Sequence, residues 1–141
     1  SNVKKLLKRF YLYCESIPDR LYPFTHEIEG KLVRGRESYH KAVEQAIEKF
    51  GPNSLGYKIQ FYRGAWHFFG SVIFIIIATL ISKELFGSDI AIYLLLGIAI
   101  LFLFIQEFYS HPRRYKQPRR KCYTDWLTWV IPMVLYLIFW I

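Results

Sequence analysis

Cysteine is scarce: Cys14 and Cys122 are the two in 141 residues, and they form no Cys-x-x-Cys pair. This excludes the dense disulfide framework of small secreted domains and the cysteine spacing of structural zinc sites. Gly-rich phosphate loops and nucleophile elbows are also missing, so no signature of phosphoryl or acyl transfer is present. The four histidines, His26, His40, His67 and His111, make no His-x-x-His or His-x-x-x-His pair, which disfavours the iron chemistry of membrane desaturases. No internal repeat occurs, which argues against a transporter built from duplicated halves. No apolar signal core follows Ser1-Asn2-Val3-Lys4-Lys5, so targeting is expected from the first membrane span.

Charge is absent from three long stretches. Residues 64–82, 90–106 and 126–141 carry no Asp, Glu, Lys or Arg, giving uncharged runs of 19, 17 and 16 residues. About 20 residues at 1.5 Å each cross the hydrocarbon core, so the second and third runs need their aromatic flanks. Phe108 and Tyr109 extend the second, and Tyr123 precedes the third. Trp66, Trp126, Trp129 and Trp140 fall near the expected interfaces, where amphipathic rings are favoured. The fold class this predicts is an all-α integral membrane protein with spans over 64–82, 90–108 and 123–141, the last kinked at Pro132. Residues 64–141 form the membrane domain and 1–63 a small, helical, partly amphipathic cytoplasmic region.

Acidic residues are outnumbered 11 to 19 by Lys and Arg, a formal charge of +8. In a soluble protein that balance raises nucleic acid as a partner; here the membrane comes first and nucleic acid is disfavoured. Lys83 is the one cation between spans one and two, whereas Arg113, Arg114, Lys116, Arg119, Arg120 and Lys121 crowd the loop 109–122. By the positive-inside bias that loop and the amino-terminal region are cytoplasmic, and the carboxyl terminus lies on the opposite side. The six cations, interleaved with Pro112, Tyr115 and Pro118, form a candidate site for lipid phosphate or an acidic partner, read against a purely topological role.

Residues 3–16 place Val3, Leu6, Leu7, Phe10 and Cys14 on one helical face, with Lys4, Lys5, Lys8 and Arg9 largely opposite. This basic amphipathic helix suits an anionic leaflet, or packs on the rest of its own region; Ile17-Pro18 is expected to end it. Residues 20–35, broken by Pro23, Gly30 and Gly35, read as a connector with a helical turn or two. Over 36–50, Tyr39, Ala42, Val43, Ala46, Ile47 and Phe50 share a helical face, stopped by Gly51-Pro52. Asn53 or Ser54 is expected to cap a helix that runs into the first span.

Glu37 and His40 stand one turn apart, the spacing of a di-iron ligand pair, but a single copy is weak evidence for a metal. His67 is read as an interfacial ring meeting headgroups. The polar residues expected inside the spans are Ser71, Thr79, Tyr93, Thr128 and Tyr136, with no ionisable group deep in the hydrocarbon. Gly70, Ala78, Ala91, Gly97 and Ala99 offer small surfaces for close helix approach. The resulting expectation is a non-catalytic accessory or structural subunit of a larger membrane complex, with membrane lipids and other integral subunits as partners and no metal or cofactor. The alternatives are a homo-oligomeric channel or membrane-perturbing effector, and a membrane enzyme with a metal at Glu37 and His40.

Overall fold

The computed structural model describes residues 1–51, 57–115 and 119–140, with side chains 57–60 and Tyr115 left aside. It divides into two compact units, Ser1–Gln60 and Phe61–Ile141.

The first unit opens with α1 (Asn2–Arg20), whose Ser1 side chain accepts from the Lys4 amide. The helix runs through Pro18 instead of stopping there. Proline in the last turn removes only the rung to Cys14, an exposed residue, and the Leu21 amide closes the helix on the Ile17 carbonyl at 3.1 Å.

In place of a helical connector, β1 (Thr25–Ile28) and β2 (Lys31–Arg34) form an antiparallel hairpin, pairing His26 with Val33 and Glu27 with Leu32. Its turn residues Glu29 and Gly30 both have positive φ, 51° and 75°, the geometry that matches the twist of a two-residue hairpin. The unit is therefore not purely α.

The third element, α2 (Arg36–Phe50), starts at Gly35. That glycine sits at φ 82°, and a Cβ there would lie 3.0 Å from the Arg20 carbonyl oxygen. The core is small and partly polar. Tyr22 and Tyr39 meet edge to face at 5.4 Å, and Ala42 and Ala46 are buried beside them, while Ile47 and Phe50 of the same predicted stripe remain exposed. Ser38, fully buried, donates to the Phe24 carbonyl at 2.8 Å; its oxygen then accepts from His26 Nδ1 at 2.7 Å. That hydroxyl ties the hairpin to α2.

The second unit holds three helices long and apolar enough to cross a membrane: Phe61–Phe86, Asp89–Arg114 and Arg119–Phe139. The first is the continuation of α3 (Tyr57–Ile81) and ends in a π turn, Ser82–Phe86, closed by Gly87 at φ 58°. The second is α4 (Asp89–Ile105), capped by Ser88, then a π segment Gln106–Ser110 and the short α5 (His111–Tyr115). The third is α6 (Arg119–Phe139), which continues through Pro132. Much of the expected basic loop is therefore helix end, with 116–118 outside the described residues, as are Asn53 and Ser54 of the expected cap.

Ile75 and Ala78 of α3, Ile92, Leu96 and Leu103 of α4 and Met133 of α6 make one core. Small residues matter unequally around it. A Cβ on Gly70 would come within 2.5 Å of the Trp129 ring, whereas one on Gly97 would meet nothing within 4 Å. Gly70 is where the α3 backbone receives an aromatic ring; Gly97 lies open.

Candidate functional site

The apolar unit is not apolar throughout. His67, Ser71, Glu107, His111 and Asp125 are all buried, Glu107 completely. Their positions share a logic. His67 lies six residues inside Phe61, Asp125 six inside Arg119, and Glu107 seven before Arg114, so each apolar helix carries an ionisable group about 10 Å from one of its ends. These ends are the entry of the first helix, the exit of the second and the entry of the third, which coincide in an up-down-up bundle.

Local backbone makes this possible. Leu103, Glu107 and His111 follow one another in steps of four, which on an α-helix of 3.6 residues per turn would drift off the inner face. The wider π segment Gln106–Ser110 takes up that drift, keeping Glu107 and His111 on the buried side. Glu107 Oε2 lies 3.1 Å from His111 Nδ1, and Gln106 donates to its Oε1 at 3.2 Å.

On α6, Asp125 pairs with Lys121 one turn earlier and places Oδ1 3.8 Å from His67 Nδ1. Thr128 donates to the Asp125 carbonyl at 2.8 Å and lies 3.1 Å from the same His67 nitrogen. The Trp129 ring stacks on His67 at 5.3 Å, and Ser71 donates to the Trp129 carbonyl at 2.5 Å. These ionisable residues thus form two groups, Glu107 with His111, and His67 with Asp125 and Lys121. Asp125 has a basic partner in Lys121, and Glu107 has one in His111. Such compensation is what a low-dielectric interior requires.

One expectation changes here. His67 is 6% exposed and bonded to Thr128 instead of meeting headgroups, while Glu107 and Asp125, near the ends of their apolar helices, are buried. Glu107 and Asp125 fall near the ends of the expected spans 90–108 and 123–141, where hydropathy says nothing of burial. The usable signal was the Glu107–His111 step of four, the spacing of same-face neighbours on a helix.

The residues expected to bind phosphate divide among different roles. Lys121 is drawn inward to Asp125, and Arg113 lies over the Tyr109 ring at 3.8 Å while donating to its hydroxyl. Arg114, Arg119 and Arg120 are exposed, and Lys116 lies outside the described residues. Cys122, beside them in sequence, is buried. In the first unit Lys4, Lys5, Lys8 and Arg9 are exposed along α1. Glu37 and His40 are exposed too, with His40 accepting from Arg36 at 3.5 Å, and among the described residues no three His, Cys, Asp or Glu side chains gather as a metal site requires.

No protein family, curated protein or solved structure matches the chain.

Proposed function

We propose that the chain is a multi-pass membrane protein acting as a non-catalytic accessory subunit of a larger integral membrane complex. In this reading the amino-terminal unit and the basic segment 109–122 face the cytoplasm, and the carboxyl terminus lies on the other side. The observation that carries it is the contrast between the inside and the outside of the apolar unit. Only 17 to 22% of the most apolar stretch of each long helix is buried within the chain, although His67, Glu107, His111 and Asp125 are buried. Leu94, Ile98, Leu101 and Phe102 of α4 point outward at 56 to 66% exposure, a surface suited to lipid or to a neighbouring helix. A chain that locks its own helices with internal polar pairs and presents an apolar exterior suits a rigid packing element. Photo-crosslinkers at Ile98 and Phe102 in native membranes test this: discrete protein adducts are expected, and adducts with lipid alone would contradict it.

A second reading is favoured by these buried residues, because ionisable groups inside membrane helices commonly mark ion or proton pathways. It makes the chain a homo-oligomeric channel, with crosslinks from the same positions only to further copies of itself.

A further inference from the structure

Little of the start of α1 is buried. Residues 2–10 are all exposed, and the buried residues of the helix are Ser16 and Asp19, near its end. The side that packs on α2 is thus the polar side. Asp19 is nine residues from Phe10, two and a half turns, and so points oppositely. Val3, Leu6, Leu7 and Phe10, each 62 to 67% exposed, line the face turned away from the unit's core. A free helical segment this short is marginal in water, so something must cover it. Lys4, Lys5, Lys8 and Arg9 flank the apolar face, and no acidic residue precedes Glu15. A cover of negative charge and apolar depth fits both features.

We propose that α1 lies on an anionic bilayer surface, its apolar face in the boundary between headgroups and acyl chains and its four cations against lipid phosphates. The proposal rests on the membrane reading above, since the three long helices of the same chain keep a bilayer within reach.

Cys14, exposed on α1, accepts an environment-sensitive fluorophore, while Cys122 is buried. The full chain, labelled there, is placed in nanodiscs of phosphatidylcholine with and without phosphatidylglycerol. With anionic lipid the emission should shift to the blue and be quenched by lipid-borne nitroxides. Added salt, or the combined changes Lys4→Glu, Lys5→Glu, Lys8→Glu and Arg9→Glu, should return it to the neutral-lipid level. Leu6→Gln with Phe10→Gln should lose the nitroxide quenching although the charge is kept. Equal access of aqueous iodide in both lipids overturns the proposal, as does energy transfer between labelled copies in lipid-free detergent, which assigns the face to a second copy. Failure to enter nanodiscs at all overturns the membrane reading beneath it.

Discussion

Thr128 fixes the proton of His67. Its hydroxyl hydrogen is committed to the Asp125 carbonyl at 2.8 Å, so at 3.1 Å its oxygen can only accept from His67, and Nδ1 carries the hydrogen. The Asp125 carboxylate, 3.8 Å from the same nitrogen, favours the same arrangement. Thr128→Val keeps the shape and removes the acceptor, and should lower stability by about 1–2 kcal/mol, while Thr128→Ser should stay near the parent. Thermal melting in detergent measures both. A Thr128→Val protein as stable as the parent would show that this bond holds nothing.

The Lys121 and Asp125 pair sits at the rim of its group, with Lys121 18% exposed and Asp125 8%. Asp125→Ala strands an ammonium beside buried apolar surface and should cost about 3 kcal/mol. Lys121→Met together with Asp125→Leu should recover most of it, because the charge and its partner leave together. If the double variant melts no higher than Asp125→Ala, the aspartate has a further role that the ion pair does not explain.

Gly70 and Gly97 make a matched comparison. Gly70→Ala pushes a methyl to 2.5 Å from the Trp129 ring and should destabilise by about 1–3 kcal/mol. Gly97→Ala enters open space and should be neutral or stabilising by up to about 1 kcal/mol through helix propensity. Equal melting temperatures for the two would contradict the packing of α3 on the Trp129 ring.

Much of the helix content was legible in hydropathy and in the periodic faces of α1 and α2; the misreadings have separable causes. Pro18 was taken as a stop because the cost of a missing rung depends on where its orphaned carbonyl lies, and here that is an exposed residue in the last turn. The hairpin escaped because Gly30 was read as an interruption, although Glu29-Gly30 stands between two four-residue strands, the first of them of alternating burial. The buried ionisable residues were harder to read for a different reason. Glu107 is kept on the buried side by a π segment, which the step of four from Glu107 to His111 does not by itself reveal.

Orientation has its own test. Six of the seven cations in the two loops lie at 113–121, so a carboxyl-terminal reporter should be active only outside the cytoplasm. Replacing Arg113, Arg114, Arg119 and Arg120 by Glu should disturb insertion and mix the two orientations. A reporter active only in the cytoplasm in the parent chain would overturn both the number of crossings and their direction.

The most direct measurement of the accessory-subunit reading is the composition and mass of the protein isolated from its native membrane in mild detergent. The predicted result is a particle well above the 16.9 kDa of the chain, containing other integral membrane proteins in fixed proportion. A monodisperse monomer, or an assembly of this chain alone, would contradict it.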